Sequence, residues 1–367
     1  MNNLNKEFID NFCIIDGKAY KLEDVEKMGI DEFSKSAHIF PSKSLFKYYP
    51  NVRKYVKEEK KYRNYSFEAL TNNTVFLQNA NNFDDCFDCA IDLDYNKFLY
   101  NRVHKYCEYF DIEITDNQNV NQAIYLLSNK FYEYGTPEVT IANAKTFDDK
   151  LRNLYIEVFV NKVFAELIDK KDWNLAIFSA INSEYTDFCE TLSKFKIACF
   201  TTSPYLNRMW SSAYADNNKG FCIEYEINLE SKENIDIYNY ILPVIYSQKR
   251  NDLIQLSLNV DATPTKDDLW QIYYNGLLRK SIHWVDQNEW RLILPDGFIN
   301  RNPMPFFKIK KIYLGNKMSK KERLKIIKYC KAHSIEYVGM VRKLNSFDLV
   351  ECSSDCYTCK IDSNHKS

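Results

Sequence analysis

The chain has 367 residues and a formal net charge of -1, with 49 basic side chains against 50 acidic ones. At 45% hydrophobic and 15% aromatic residues it can bury a sizeable core, as one large or two modest domains. The even charge gives no support to a bulk electrostatic grip on nucleic acid or anionic membrane, leaving only a local patch, and no run of eighteen apolar residues suggests a membrane helix. Eleven cysteines, an odd number with no secretory pattern ahead of them, are expected as reduced thiols in the cytoplasm. Only 8 glycines and 9 prolines argue against a disordered chain.

Residues 1–40 read as a short appended element. In it Phe12–Ile15, Asp16-Gly17 and Ala19-Tyr20 have the pattern of a small hairpin, because Asp-Gly favours the tight turns between paired strands. Ser44–Tyr49 (SLFKYY) is a short strand closed by Pro50, and the lysine-rich run 52–63 reads as a solvated loop or helix face. A turn and an apolar strand follow over 70–77. They lead into a polar loop, residues 79–88, that carries Asp84, Asp85 and Asp88. Val120, Ile124, Leu127 and Phe131 recur at helical spacing, residues 151–167 are apolar over a wide arc, and Ile177, Ile181, Phe188 and Leu192 make another stripe. A helical insertion over about 97–195 is therefore expected, its stripes core rather than a cofactor box.

Residues 196–227 carry the most detail. Ile197, Cys199, Thr201 and Ser203 alternate with Ala198, Phe200 and Thr202, so the two sets face opposite ways on a strand. Phe221, Ile223, Tyr225 and Ile227 are expected inward, with Glu224 and Glu226 outward. Between them Asp216-Asn217-Asn218-Lys219-Gly220 is turn chemistry. Further on come a strand over 241–246, a helix start at Thr265 and Asp268, and a strand at Glu289–Leu294 ending in Pro295-Asp296-Gly297. A strand over 307–314 ends at Gly315, Ser319 with Glu322 forms a capping box opening a basic helix, and 337–342 supplies a last strand. The expected class is α+β: one mixed central sheet with a helical insertion, forming a single domain over 41–345, and a Cys-containing tail over 346–367.

An ordered series of segments resembles a bacterial family known only as a domain of unknown function, number 2971. The segments are Phe46-Lys47-Tyr48-Tyr49, residues 75–88 (VFLQNANNFDDCFD), Cys199-Phe200, 209–216 (MWSSAYAD), 219–223 (KGFCI), 288–293 (NEWRLI) and 312–315 (IYLG). That family name implies no activity. A second set is similar to ADP-ribosyltransferases: Thr201-Thr202-Ser203, Tyr214-Ala215 ahead of Gly220, and Gln287-Asn288-Glu289. This resemblance implies an ADP-ribosyltransferase-like core that consumes NAD to modify an unknown macromolecule, protein or nucleic acid, as a toxin or phage-defence effector. Glu289 is then the catalytic carboxylate, holding the ribose hydroxyl and stabilising the positive charge that grows on the sugar as nicotinamide leaves. Gln287 orients the acceptor. Tyr214 stacks on nicotinamide, Thr202 or Ser203 positions neighbouring groups, and Lys47 or Tyr48 contacts the cofactor phosphates or ribose. Placed two apart on a strand, Gln287 and Glu289 are expected to share one cleft.

Other readings stand beside this one. Glu289 and Arg291 also share a strand face and can simply pair with each other, and Trp210 and Trp290 read as core anchors. Cys86-x-x-Cys89 and Cys356-x-x-Cys359 have the spacing of a zinc site, with Cys352 as a spare ligand. Asp84, Asp85 and Asp88 suit a divalent cation and hence a metal-dependent nuclease or phosphodiesterase. A third possibility is a non-catalytic binding or regulatory module that uses its tyrosine-rich surface. Glu289 discriminates among them: lining a common pocket with Tyr214 and Ser203 it supports transfer, whereas buried and salt-bridged it supports a binding module.

Overall fold

The computed structural model describes residues 11–38, 44–83, 88–89, 94–109, 111–115, 119–133, 173–249, 270, 273–295, 297–298 and 300–352. In chain order the first elements are β1 (Phe12–Ile15), β2 (Lys18–Lys21), α1 (Leu22–Lys27), α2 (Ile30–His38), β3 (Ser44–Tyr49), β4 (Lys54–Val56) and β5 (Lys61–Arg63). Next come α3 (Tyr65–Asn72), β6 (Thr74–Val75), β7 (Gln78–Asn79), then α4 (Tyr95–Tyr109), α5 (Val120–Glu133) and α6 (Trp173–Ser193). The chain continues through β8 (Lys196–Thr201), α7 (Asn207–Ser211), β9 (Phe221–Glu226), α8 (Lys232–Tyr238), β10 (Ile241–Pro243), β11 (Ile245–Ser247), β12 (Arg279–Ser281) and β13 (Glu289–Leu294). It ends with β14 (Met304–Pro305), β15 (Lys308–Leu314), α9 (Lys320–Ala332), β16 (Glu336–Arg342) and β17 (Leu349–Glu351). The class is α+β, as expected. Two compact units divide it: one from Met1–Cys89, Lys194–Arg250 and Leu277–Ser367, the other from Ala90–Ser193 and Asn251–Gly276.

In the second unit α4, α5 and α6 pack on one another. Phe98, Val103 and Cys107 of α4, Ala123, Ile124 and Leu127 of α5, and Ile177 and Ile181 of α6 are all buried. The residue spacing puts one apolar stripe per helix on a shared seam, with each buried side chain contributing roughly 1.5–3 kcal/mol of transfer free energy. Asn119 and Gln122 cap α5 reciprocally, each side chain accepting the other's main-chain N–H at 3.0 Å. The apolar arc at 151–167 and the helix start at Thr265 lie outside the described residues.

The first unit is built on a nine-stranded mixed sheet in the order β10-β13-β8-β3-β9-β15-β16-β17, with β7 also on β8. Among the described residues only β15 and β16 run parallel in it. One face carries Leu45, Tyr49, Ala198, Phe200, Phe221, Ile223, Tyr225, Leu292 and Ile312, packed against Ile326, Ile327 and Cys330 of α9. The opposite face carries a second apolar cluster that includes Phe46, Tyr48, Trp210, Cys222, Tyr313 and Met340. Ser319 caps α9 with Glu322, as its spacing predicts.

Two-sided burial corrects one expectation. Glu224, read as outward, is buried on the second face, where its carboxylate accepts from Ser44 Oγ (2.7 Å), Lys310 Nζ (2.7 Å) and Tyr313 Oη (2.8 Å). Burial alone would raise its pKa; these donors hold it below the ordinary carboxylate value instead. The Asp216–Gly220 turn has three successive positive φ angles, 45°, 51° and 69° at Asp216, Asn217 and Asn218. A side chain on Gly220 would put its Cβ 2.1 Å from the Tyr49 carbonyl oxygen, so the close approach of turn and strand requires glycine there.

The expected strand over 241–246 is two strands. Val244 N–H donates to Glu289 O at 2.9 Å at the break; β10 then pairs with β13, while β11 enters a separate sheet in the order β12-β11-β1-β2. The N-terminal hairpin therefore belongs to the first unit. The lysine-rich run 52–63 is a β-hairpin of β4 and β5, neither loop nor helix. No helix among the described residues is long and apolar enough to cross a membrane.

Candidate functional site: a buried ring of alternating charges

Strand β13 lies antiparallel to β8 with Glu289 opposite Thr201 and Arg291 opposite Cys199. Trp290, Leu292 and Leu294 go to the large core, so the pleat turns Glu289 and Arg291 to the other face together. Arg291 Nε donates to Glu289 Oε1 at 2.6 Å, and Arg291 Nη2 to Asp88 Oδ1 at 2.5 Å. Lys280, from β12, donates to Glu289 Oε2 at 2.7 Å and lies 2.8 Å from Asp88 Oδ2. Asp88, Arg291, Glu289 and Lys280 thus close a ring of alternating sign, every side chain buried. The remaining Arg291 donor, Nη1, reaches Leu277 O (2.6 Å) and Cys89 Sγ (3.0 Å).

The electrostatics follow from this geometry. Burial alone would raise the Glu289 pKa, but Arg291 and Lys280 more than offset it and hold the carboxyl at about 2. For Lys280, burial works against the charged form, and Glu289 and Asp88 still lift its pKa above the ordinary lysine value. Two cations face two carboxylates, so the ring is formally neutral.

Gln287 and Glu289 do meet, but not through a strand. Gln287 ends a 3₁₀ turn (Ile282–Gln287), and Asn288 follows with φ 42°, turning the chain into β13. Gln287 Oε1 accepts from Lys280 Nζ at 3.0 Å, and its main-chain O accepts from Thr201 Oγ1 at 2.8 Å. Its Nε2 has no partner among the described residues, although Gln287 is only 3% exposed. Tyr214 sits on a short 3₁₀ turn and is 48% exposed. Desolvation raises its phenol pKa, and Lys280 opposes this.

The other expected site residues are spent elsewhere. Tyr48 Oη donates to Ser203 O at 3.1 Å and accepts from Leu206 N–H at 3.3 Å, with its ring edge-on to Trp210. Ser203 Oγ accepts from Tyr205 N–H at 3.2 Å, as a turn cap does. Thr202 is half-buried, one residue beyond β8. Lys47 points to the opposite sheet face: its Nζ donates to Cys199 O at 2.9 Å and lies 5.1 Å from the Phe200 ring centroid, and burial pushes its pKa down. The structure brings Gln287 and Glu289 together on the Lys280 ammonium, and Lys47 lies on the other face of the sheet.

Sequence reading missed Lys280 and the pairing role of Asp88. A signal existed, because Arg279-Lys280 directly follows Leu277-Leu278, and basic side chains that an apolar pair carries into a core need buried partners. Trp284 was also missed; it stacks under the Arg208 guanidinium at 4.0 Å and lies 5.6 Å from Lys280 Nζ. Cys86, Cys356, Cys359, Asp84 and Asp85 lie outside the described residues. Cys89 is buried against Arg291, and burial raises its thiol pKa. Among the described residues no group of three or more His, Cys, Asp or Glu is placed to hold a metal ion.

The fold and ring define an α+β protein with a charge-neutral polar cluster on one face of its central sheet. Residues 209–292 match the family described as "Protein of unknown function (DUF2971)". That segment contains Tyr214, Lys280, Gln287, Glu289 and Arg291. No curated protein and no solved structure matches the chain.

Proposed function

We propose that the chain is a non-catalytic binding module in which Glu289 is a structural carboxylate. The observation that carries this is the occupation of both Glu289 oxygens, by Arg291 at 2.6 Å and Lys280 at 2.7 Å, in a residue only 6% exposed. A carboxylate that stabilises a cationic sugar must present net negative field to it. Here two cations sit against the carboxylate, and a charge growing nearby would meet a neutral ring. Asp88 gives no better support to a metal-dependent nuclease, because its two oxygens are held by Arg291 and Lys280. The proposed compartment is the cytoplasm, on the odd number of cysteines.

A second reading, ADP-ribosyl transfer from NAD to a macromolecule, is favoured by the meeting of Gln287 and Glu289 on Lys280 and by a Gln287 Nε2 that has no partner among the described residues. Nicotinamide release separates the two. The purified chain, incubated with NAD in the presence and absence of protein and nucleic-acid targets, is expected to release no nicotinamide above a buffer control. Release by the wild-type chain would overturn the binding reading in favour of transfer.

A further inference from the structure

The strongest charge asymmetry lies away from the ring. The hairpin β4–β5 reads RKYVKEEKKYR over 53–63, six basic residues against two glutamates. Helix α9 reads KKERLKIIKYCKA over 320–332, six basic residues against one glutamate. In a chain whose total is -1, this is a concentrated basic surface.

The two segments are held together through α3. Asn64 closes the base of the hairpin by donating to Asn51 Oδ1 at 2.7 Å, and its own oxygen caps α3 at Phe67 N–H, 2.9 Å away. Phe67 then lies edge-on to Tyr329 of α9, and the Lys325 ammonium sits 3.4 Å from the Phe67 ring centroid. Tyr329 Oη donates to the Leu70 and Thr71 carbonyls at 3.3 Å, tying the end of α3 to α9. Desolvation and the neighbouring Arg53 charge lower the Lys325 pKa, so the fold crowds cations from the two segments together.

Exposed aromatic rings stand among these cations. Tyr55 and Tyr62 are directly opposite in the β4–β5 register, with ring centroids 5.2 Å apart, and are 52% and 69% exposed. Arg53 immediately precedes β4, and Lys57 and Lys60 bound the turn that joins β4 to β5, where Lys60 N–H donates to Lys57 O at 3.3 Å and Lys60 has a φ of 49°. Glu59 is taken by Lys61 and Arg63. No carboxylate pairs with Arg53, Lys57 or Lys60 among the described residues.

We propose that the face of the β4–β5 hairpin bearing Tyr55 and Tyr62, with α9 beside it, binds single-stranded nucleic acid. Unpaired bases stack on exposed rings while adjacent cations follow the phosphates, and stacking distinguishes this partner from a duplex, a sulfated polysaccharide or an anionic lipid surface. The proposal goes beyond the binding reading, because the surface stands apart from the Glu289 ring. Nicotinamide release would therefore remove that reading without touching this one.

Fluorescence anisotropy of the full chain with labelled oligo-dT and oligo-U tests it. Binding is expected at about 50 mM salt and should weaken roughly 50-fold by about 200 mM, as for neutralisation of about four phosphates. A Tyr55→Ala/Tyr62→Ala variant should bind the oligonucleotides at least about tenfold more weakly, with heparin binding and circular dichroism unchanged. Lys57→Ala/Lys60→Ala should weaken both oligonucleotide and heparin binding and flatten the salt dependence. The proposal is overturned by an absence of binding at low salt, by a tyrosine double variant that binds as tightly as wild type, or by tighter binding to duplex DNA or phosphatidylserine vesicles than to oligo-dT.

Discussion

Replacing Arg291 by alanine is expected to remove about 3–5 kcal/mol of stability, read as a lower urea midpoint at unchanged slope. Arg291 is fully buried, and its three donor nitrogens serve Glu289, Asp88, Cys89 and the Leu277 carbonyl. Removing it leaves Lys280 as the one counter-charge, among the described residues, for two buried carboxylates. The penalty comes from those stranded charges more than from the lost attraction, since a buried pair gains little over an apolar one of similar shape. An exposed pair gives the contrast: Lys27 and Glu23 are some 70% exposed or more, and breaking them should leave the urea midpoint essentially where it is. A double variant, Glu289→Leu with Arg291→Leu, should cost less than the sum of its singles, because each single strands the other's partner. A loss below about 1 kcal/mol for Arg291→Ala would mean that the ring is not closed as described.

Acid should find the same ring. With Glu289 held at about 2 in the folded chain, against an ordinary carboxylate value of 4.5, the folded state binds its proton less readily than the unfolded state does. A depressed carboxylate of this kind contributes stability that is fully present above the ordinary value and is lost as the pH falls from there through about 2. The contribution is on the order of 3 kcal/mol. Urea midpoints of wild type and Glu289→Gln should therefore differ most near neutral pH, and the gap should close progressively below about pH 4.5. A gap that does not change with pH would show that Glu289 titrates normally and is not ion-paired.

Most elements were legible because their signals are local. Residues Glu289–Leu294, Ser44–Tyr49 and the Asp16-Gly17 hairpin fall where β-alternation and turn chemistry put them, and the Ser319–Glu322 pair marks the start of α9. The pairing of Glu289 with Arg291 was also legible, because both lie on one strand. Lys280 and Asp88 were not: the ring draws on positions 88, 280, 289 and 291, and a choice of ionic partner across about two hundred residues is set by tertiary folding. Glu224 failed for a different reason. A period of two tells which residues share a face but not whether that face meets solvent, and here both faces are covered. Gln287 reached its expected neighbour by another route, through the left-handed Asn288 and the Lys280 ammonium. The hairpin at 52–63 escaped because its charges masked a three-residue strand on either side of a turn.

Thermal unfolding of Glu289→Gln decides most directly what that carboxylate is for. As a member of a structural ring it cannot be neutralised without leaving Lys280 and Arg291 short of charge, and the melting temperature should fall by roughly 5–10 °C. A variant that melts with the wild type, while nicotinamide release present in the wild type disappears, would contradict the structural role and return Glu289 to the chemistry of the sugar.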